Sequence, residues 1–387
     1  MGDAFIVAAV RTAGGRRGGR LAGVHPAELG AAVLDAVVAK GGVPADAIDD
    51  VIMGCVNQVG EQSRQIGRFV VLASSLPNSV TSVTIDRQCG SSQQAIQFAA
   101  QAVMSGTQDV VIAAGVESMT RVPPGAAFRG IPNQTPMIQR VRDKYGVDEF
   151  SQFVGAELIA KKWGFDRPML DAYGLESQRR AAAATKAGAF ENEIVPINIT
   201  LPDGTADVHK IDEGIRWDAS PEGMAKVKLL QENGLLTAAT SSQITDGAAA
   251  VMIVSEAALK RYGLKPLARI AHFTVTAGDP VLMLEEPLYA TDKVLKRSGM
   301  KIGDIDLFEV NEAFAPIPLA WAAHTGADLA RVNVNGGAIA LGHPLGGSGA
   351  KLMATLVHAL RARKLRWGLQ TMCEGGGQAN VTIVEAL

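Results

Sequence analysis

The chain has 387 residues, of which 47% are hydrophobic and 5% aromatic, so it can bury a sizeable core over two or three domains. A net charge of −2 and a pI near 6.3 create no field that would attract nucleic acid or an anionic membrane, so we expect neither as a partner. Cys55, Cys89 and Cys373 form no CxxC spacing, which indicates free thiols, no metal site and a reducing compartment, the cytoplasm by default.

Both ends of the chain alternate apolar strand runs with alanine-rich helical stretches, which predicts an α/β fold with buried parallel strands. The first end contains predicted strands at 48–54, 82–86 and 109–114, with a helix at 93–105 before the last. The second end has matching strands at 305–311, 331–335 and 369–372, with a helix at 349–361. The sequence therefore predicts a duplicated αβ unit whose halves pack face to face and bring their loops to one site.

Periodicity weakens between the two ends, where polar stretches such as Pro123-Pro124-Gly125 and Leu201-Pro202-Asp203-Gly204 appear. A helix is still predicted over 170–186, after the start signal Asp166-Arg167-Pro168 and before Gly188. We expect an inserted loop domain over the active site, where substrate selection usually resides. The expected boundaries are 1–119 with 244–265 for the N-terminal core half, 120–243 for the inserted domain and 266–387 for the C-terminal core half.

Cys89 follows a predicted strand and precedes a helix that begins near Gly90 or Ser91. A thiol at the positive end of a helix should have a pKa below its ordinary value. A lone cysteine is more often a core residue. The polar neighbours Gln88 and Ser92 argue against a purely apolar environment and favour a nucleophile.

His343 lies in a glycine-rich segment, 336–349, which has too little side-chain bulk to be core and lacks the spacing of a phosphate loop. Alone, His343 would more often be structural, but its pairing with Cys89 favours catalysis. Cys373 precedes three glycines, whose N–H groups could stabilise an oxyanion. Two thiols so far apart in sequence fit a nucleophile with an acid better than a redox pair.

Other candidates carry weaker signals. Asn311 stands at a strand end, where its amide can hold a water or a carbonyl, although alone it would be an ordinary cap. Arg16, Arg17 and Arg20 cluster in a glycine-rich stretch, which fits either a solvated surface or an anion contact. Cys55 is interpreted as a core residue.

These residues stand within motifs that match a known family. The chain resembles the thiolases over nearly its full length, through five segments in this order: Asp86-Arg87-Gln88-Cys89-Gly90-Ser91-Ser92, Asp246-Gly247-Ala248-Ala249-Ala250, Asn311-Glu312-Ala313-Phe314-Ala315, Asn335-Gly336-Gly337-Ala338-Ile339-Ala340-Leu341-Gly342-His343-Pro344 and Cys373-Glu374-Gly375-Gly376-Gly377. The resemblance implies a five-layered αβαβα fold of two duplicated halves, an inserted loop domain that binds coenzyme A, and a homodimer or homotetramer.

The resemblance also implies catalytic roles. Cys89 would be the nucleophile that becomes acylated, His343 would deprotonate it, and Cys373 would exchange the proton at the α-carbon of the acetyl group. The N–H groups of Cys89 and Gly375 would form one oxyanion site, and His343 with a water held by Asn311 would form the other.

The implied reaction is thiolytic cleavage of a 3-ketoacyl-CoA to acetyl-CoA or propionyl-CoA and a shortened acyl-CoA, as in fatty acid β-oxidation, reversible as a Claisen condensation. Coenzyme A is then a substrate, and no tightly bound cofactor is expected. By the same resemblance Ser242 would contact the pantetheine, Arg216 a CoA phosphate, and Phe314 the substrate.

The sequence departs from the usual family pattern at 240–245 and at Gln378-Ala379-Asn380, which follows the last glycines. The run at 54–63 looks more like relatives that act on bulky, steroid-derived acyl-CoAs. Two alternatives remain open at this point. One is a β-ketoacyl synthase-like condensing enzyme, against which Cys373 argues, and the other is a non-catalytic acyl-CoA-binding scaffold.

Overall fold

The computed structural model describes residues 2–128, 135–201 and 203–387. Pro202, in one of the predicted polar turns, and residues 129–134 of the predicted inserted domain lie outside the described residues. The strands are β1 (Ala4–Thr12), β2 (Gly15–Arg16), β3 (Asp50–Gly54), β4 (Thr81–Ile85), β5 (Val110–Ser118), β6 (Ile194–Val195), β7 (Ile197–Thr200), β8 (Ala206–His209), β9 (Thr245–Ser255), β10 (Ala268–Ala277), β11 (Leu307–Val310), β12 (Trp367–Glu374) and β13 (Gln378–Ala386).

The α-helices of the described residues lie between these strands along the chain, one at a time or in groups of three. They are α1 (Pro26–Gly41), α2 (Ile66–Ala73), α3 (Ser91–Ser105), α4 (Gln139–Tyr145), α5 (Gln152–Lys162), α6 (Arg167–Lys186), α7 (Pro221–Ala225), α8 (Glu256–Tyr262), α9 (Glu286–Ser298), α10 (Pro316–Thr325), α11 (Ala338–Leu341) and α12 (Ser348–Arg363).

The main strands follow one path, β4-β3-β5-β9-β1-β10-β13-β12-β11, whose two parts repeat the same connections. β3 is parallel to β5 and β5 antiparallel to β9, just as β11 is parallel to β12 and β12 antiparallel to β13. The two parts join where Ala4–Ile6 of β1 pair with Ala268–Ile270 of β10. Just beyond this junction, β1 shifts register against β9 between Ile6 and Ala8. β10 likewise shifts register against β13 between Ile270 and His272. The predicted duplication is confirmed.

Helices and strands stack in five layers, as predicted, and three hydrophobic clusters hold these layers together. The first cluster packs α1 and α2 against the outer face of the N-terminal strands. The second fills the centre, where α3 and α12 lie between the two groups of strands. The third packs α9 and α10 against the outer face of the C-terminal strands. Strands buried on both faces explain the near-continuous apolar runs of the sequence.

The central helices touch closely at their first turns. Ala350 N–H of α12 donates to Ser92 Oγ of α3 at 2.9 Å. A Cβ atom placed on Gly349 would lie 2.1 Å from the backbone nitrogen of Gln93, so only glycine fits there without movement of the backbone. Because Cys89 directly precedes α3 and His343 precedes α12, this contact brings the two loops to the same place.

The predicted strand at 331–335 is wrong. In this segment only Val332 forms an isolated bridge, to Phe308 of β11. Asn333 instead has a left-handed backbone, with φ of 49°, and its side chain pairs with the peptide groups of Val310. Its Oδ1 accepts from Val310 N–H at 2.9 Å and its Nδ2 donates to Val310 O at 2.8 Å. A side-chain amide therefore covers the edge of β11 where the sequence predicted a further strand.

The segment between the halves contains α4 to α7 and the separate hairpin of β7 and β8. The predicted helix at 170–186 is confirmed as α6, which begins at Arg167 because Asp166 Oδ1 accepts the N–H of Met169 at 2.9 Å. Beyond its end Gly188 is left-handed, with φ of 71°. We keep the predicted domain boundaries as a proposal.

We predict that Gly349→Ala lowers the free energy of unfolding. Alanine favours a helix by up to about 1 kcal/mol over glycine, but a forced shift of packed backbone should cost more, about 1–3 kcal/mol. Gly23→Ala is the matched control, since a Cβ on Gly23 would meet nothing within 4 Å. Urea unfolding should show a lower midpoint for Gly349→Ala and an unchanged one for Gly23→Ala. Equal midpoints for the two variants would contradict the close approach of α3 and α12.

Candidate active site

Cys89 lies in the sharp turn between β4 and α3. Gln88, the residue before it, has a left-handed backbone with φ of 49°, which is uncommon for a residue other than glycine. Asp86 Oδ1 accepts the N–H of Gln88 at 2.6 Å and fixes the turn. Cys89 remains partly exposed, whereas Cys55, just beyond β3, is fully buried in the core. The turn therefore presents the Cys89 thiol at the start of α3, as predicted.

The expected low pKa of Cys89 is wrong for this structure. Burial raises the pKa of the thiol, and the nearby carboxyl group of Glu374 raises it further when it is ionised. Glu117 and Asp86 act in the same direction. The helix N-terminus does not offset these neighbours, so the resting side chain of Cys89 is a neutral thiol. A neutral thiol can act as the predicted nucleophile only if a base takes its proton during the reaction.

His343 is the predicted base, and its surroundings determine which ring nitrogen can accept a proton. Its Nδ1 lies 2.5 Å from Ser348 Oγ, and the Ser348 hydroxyl donates to Pro344 O at 2.8 Å. Because that hydroxyl has only one hydrogen, Ser348 Oγ accepts from His343 Nδ1–H, which leaves Nε2 unprotonated. Burial, aided by the Lys351 ammonium, lowers the pKa of His343 to about 3. The imidazole is therefore neutral at any pH above that value.

Asn311 connects His343 to the strand that carries Cys373. Its Nδ2 lies 3.5 Å from His343 Nε2, and its backbone N–H donates to Thr371 O of β12 at 3.1 Å. Cys373, at 1% exposure, lies two residues further along β12. Burial raises the pKa of Cys373, and the neighbouring Cys89 raises it further. Asn311 thus lies between His343 and the strand of Cys373, and the effect of Cys89 on Cys373 shows that the two thiols are close together.

Gly375 begins the tight turn between β12 and β13. A Cβ atom on Gly375 would lie 2.8 Å from Gln88 Oε1, so the turn packs directly against the residue that precedes Cys89. Gly376 and Gly377 have φ of 82° and 75° and complete the turn. The predicted pairing of the Cys89 and Gly375 N–H groups is compatible with this contact.

The predicted coenzyme A contacts lie beside the catalytic loops. Ser242 N–H donates to Ala313 O at 2.9 Å, and Ser241 bridges Phe314, so Ser242 and Phe314 are neighbours. Phe314 is buried in the same cluster as Cys373. Arg216 is exposed and lines a cavity of about 390 Å³ with Gln178, Ser220, Gln243 and Ile339.

The arginine cluster near the N-terminus does not join this site. Arg16 lies 3.6 Å from Glu213, and Arg20 lies 2.6 Å from Asp207. Arg17 is exposed. Of the two readings that the sequence left open, surface ion pairs account for Arg16 and Arg20.

Glu117 is a buried residue of the site that the sequence analysis missed. Its carboxylate accepts the N–H groups of Val56, Asn57 and Gly346 at 2.9 to 3.0 Å, together with the side-chain amides of Asn57 and Gln62. It therefore ties the loop after β3 to the loop that carries His343. The available signal was a charged residue in the otherwise apolar run of β5.

In residues 2–128, 135–201 and 203–387, no three His, Cys, Asp or Glu side chains come together as a metal site would require. Within those ranges no helix is both long and apolar enough to cross a membrane.

The chain is similar over its whole length to enzymes that transfer acyl groups. Residues 4–257 match the thiolase N-terminal domain and residues 264–386 match the thiolase C-terminal domain. The chain therefore belongs to the thiolase family.

The curated relatives of the chain include thiolases and acetyl-CoA acetyltransferases. The chain is 49% identical to the steroid 3-ketoacyl-CoA thiolase FadA6 of Mycobacterium tuberculosis, over 100% of this chain and 95% of that protein. It is 42% identical to a probable acetyl-CoA acetyltransferase of Escherichia coli, over 100% and 99% of the two chains. The β-ketoadipyl-CoA thiolase of Acinetobacter baylyi is 40% identical, with full coverage of both.

Solved structures agree with the fold. Human mitochondrial 3-ketoacyl-CoA thiolase superposes with a TM-score of 0.90 at 36% identity, over 100% of this chain and 99% of that one. The Bacillus anthracis acetyl-CoA acetyltransferase gives a TM-score of 0.91 at 36% identity, with the same coverage. The chain is thus an acyltransferase of the thiolase type, which cleaves thiolytically and condenses in reverse and uses coenzyme A as a substrate. The synthase and scaffold alternatives are not favoured.

We predict that Ser348→Ala slows acylation of Cys89. Without the hydroxyl that accepts from Nδ1–H, the imidazole proton can move to Nε2 and block the base. Since a positioned base contributes about 100- to 10,000-fold, we expect a loss of about tenfold or more. Stopped-flow measurement of acyl transfer from acetyl-CoA checks this. Ser255→Ala, which removes the N-cap of distant α8, is the control and should keep the rate. An unchanged rate in Ser348→Ala would contradict the tautomer assignment.

Proposed function

We propose that this thiolase uses Cys89 as the acyl carrier, His343 as its base and Cys373 as the acid. The observation that carries the proposal is the neutral His343, whose unprotonated Nε2 lies beside Asn311. A nucleophile, a base and a second proton donor are the three groups that the cleavage of a 3-ketoacyl-CoA needs.

The proposed steps follow from the neutral resting thiol. His343 Nε2 takes the Cys89 proton as Sγ attacks the 3-keto carbon, so no thiolate accumulates beforehand. The C–C bond then breaks, its electron pair forms the enolate of acetyl-CoA or propionyl-CoA, and the Cys373 S–H protonates the α-carbon. The thiol of a second coenzyme A gives its proton to the Cys373 thiolate and attacks acyl-Cys89. The shortened acyl-CoA then leaves as the Cys89 sulfur takes back the proton held by His343.

Charge on the thioester and ketone oxygens has to be held in the transition states. The N–H groups of Cys89 and Gly375 are proposed for one oxygen, and His343 with an Asn311-held water for the other. The contact between Gly375 and Gln88 supports the first pair. Loss of one such donor typically costs about 3 kcal/mol of barrier.

Coenzyme A is proposed to enter along Ser242 and Phe314 and to meet the exposed Arg216 with a phosphate. The cavity of about 390 Å³ at Arg216 supports this path, since a guanidinium at its rim suits a phosphate. Coenzyme A comes and goes as a substrate, and no tightly bound cofactor is proposed.

The acyl group is proposed to be bulky and ring-bearing, as from a steroid side chain. The 49% identity with FadA6, against 42% with the acetyl-CoA acetyltransferase of Escherichia coli, supports this choice. The resemblance of residues 54–63 to such relatives points the same way.

We also propose a homodimer or homotetramer. β4 ends the strand path, and no described strand lies on its far side, where Val83 exposes 41% of its surface. Phe69 and Leu72 of the adjacent α2 are also about half exposed, at 47% and 50%. The cytoplasm stays the predicted location on the basis of the free cysteines.

The roles of the two thiols can be separated by Cys373→Ala. We expect this variant to accept an acyl group from a simple thioester at Cys89 but to lose C–C cleavage by about a hundredfold or more, because the enolate then lacks its acid. Peptide mass spectrometry locates the acyl mass, and a coupled assay measures cleavage. Cys55→Ala is the control and should retain both. Label on Cys373 or Cys55 in the unmodified enzyme, or retained cleavage in Cys373→Ala, would refute the assignment.

The substrate proposal is tested by an activity screen. 3-Ketoacyl-CoAs from acetoacetyl through linear and branched chains to ring-bearing chains should be compared by kcat/KM at one coenzyme A concentration. We expect the ring-bearing substrates to exceed acetoacetyl-CoA by about tenfold or more, since each well-packed apolar group adds roughly 1–3 kcal/mol of discrimination. Preference for acetoacetyl-CoA would overturn the proposed acyl class and leave the catalytic roles intact.

A further inference from the structure

Glu374 is a buried carboxyl group at the end of β12 for which the proposed mechanism has no role. It follows Cys373 directly and has no exposed surface. Neither of its carboxyl oxygens makes a hydrogen bond of good geometry among the described residues. A buried, unpaired carboxylate is costly, so either the charge or the lack of a partner needs an explanation.

The surroundings of Glu374 are defined by Gly90, the residue after Cys89. A Cβ atom on Gly90 would lie 1.9 Å from Glu374 Oε1 and 2.5 Å from Asn380 Oδ1. Both oxygens are thus within 2.5 Å of one point and are close neighbours. Asn380 Oδ1 also has no donor among the described residues.

The orientation of the Asn380 amide is fixed by two glutamines of α3. Gln97 Nε2 donates to Val381 O at 3.0 Å, so Gln97 Oε1 is the atom that faces Asn380. Asn380 Nδ2 donates to this oxygen at 3.0 Å and to Gln94 Oε1 at 3.1 Å. Its Oδ1 must therefore point the other way, toward Glu374.

An amide oxygen has only lone pairs to offer, and an ionised carboxylate has only lone pairs as well. Two such acceptors side by side repel, whereas a protonated carboxyl can donate its O–H. We propose that Glu374 is held as a neutral carboxylic acid that donates to Asn380 Oδ1, and that this proton keeps the Cys89 thiol reactive.

The charged groups around Glu374 agree with this state. Burial raises the pKa of Glu374 to about 8, against the opposing effects of the Arg87 guanidinium and the Asn380 N–H, and Asp86 raises it further. The other titratable groups that face it are the thiols of Cys89 and Cys373, and an ionised Glu374 raises the pKa of both. Protonation at neutral pH removes a negative charge beside the two reactive sulfurs.

The functional half of the inference rests on the proposed role of Cys89. The reaction places negative charge on the Cys89 sulfur and on an oxygen near the 375–377 turn, which directly follows Glu374. A fixed negative charge there would oppose both. The carboxyl group is therefore a positioning and charge-setting group, and loss of its proton above pH 8 should suppress catalysis.

The first test measures stability against pH. Between the ordinary pKa of about 4.5 and the raised value of about 8, the folded chain keeps the proton that the unfolded chain loses, so stability falls as pH rises across this window. Glu374→Gln donates to Asn380 at every pH and has no proton to lose. Between pH 5 and pH 8 the urea midpoint of the unmodified protein should therefore fall relative to that of Glu374→Gln. Above pH 8 the difference between the two midpoints should stay constant.

The second test measures the reactivity of Cys89 toward iodoacetamide, located by peptide mass. At pH 7 the rates should be equal, and at pH 9.5 Glu374→Gln should react about tenfold faster, as a pKa lowered by one unit gives. Glu286→Gln is the matched control. Burial also raises the pKa of Glu286, but the charged groups that act on it are Glu285 and Lys293, and it does not affect the pKa of either thiol.

Two results would overturn the proposal. One is a stability difference between Glu374→Gln and the unmodified chain that does not change with pH. The other is a Cys89 alkylation rate in Glu374→Gln that follows Glu286→Gln and the unmodified protein at pH 9.5. Neither measurement requires turnover, so a failure of the proposed thiolase mechanism would leave both readable.

Discussion

The contact between the first turns of α3 and α12 determines where the chemistry can occur. Gly349 allows the backbones to meet at Gln93, and Ser92 joins them with a hydrogen bond. Each helix is preceded by a loop that carries a proposed catalytic residue, Cys89 before α3 and His343 before α12. The duplicated halves thus do more than repeat a stable unit, because their central helices bring two loops from distant parts of the chain into contact.

Buried polar groups then hold those loops in register. Glu117 collects N–H groups from the loop after β3 and from Gly346. Lys351 donates to Leu341 O and to Gly342 O, the latter at 2.9 Å, and so supports the backbone just before His343. Burial lowers the pKa of Lys351 to about 8, despite the nearby Asp212. Removing one member of such a network leaves its partners buried and unpaired, which costs more than the bond itself contributes.

Much of this arrangement could be predicted from the sequence. Apolar runs and glycine-rich loops repeat at both ends of the chain, and the ends of the strands identify Cys89, His343 and Cys373 as candidates. These signals are local, since each depends on a few neighbouring residues. The same local reasoning predicted α6 from Asp166 and Gly188, because a helix start and stop need little information from elsewhere.

The remaining features depend on contacts between distant segments. The helix start after Cys89 predicts a lowered thiol pKa, but Glu374 approaches it from the other half and burial has the larger effect. The predicted strand at 331–335 has suitable residues, yet the Asn333 side chain replaces its main-chain pairing with Val310. The tautomer of His343 likewise depends on the hydrogen bond that the Ser348 hydroxyl donates to Pro344 O. None of these three outcomes can be read from neighbours in the sequence.

The covered edge of β11 makes the two ends of the strand path unequal. At one end Asn333 and the bridge from Val332 occupy the outer side of β11, while at the other no described strand adjoins β4. If the sheet had an unpaired strand edge at both ends, copies of the chain could add head to tail and form a filament. A chain with one open strand edge can pair through it only with the same edge of a second copy, about a two-fold axis, so the proposed assembly would leave no edge for further growth of the sheet. Covering one end of a duplicated repeat thus favours a closed assembly over a polymer.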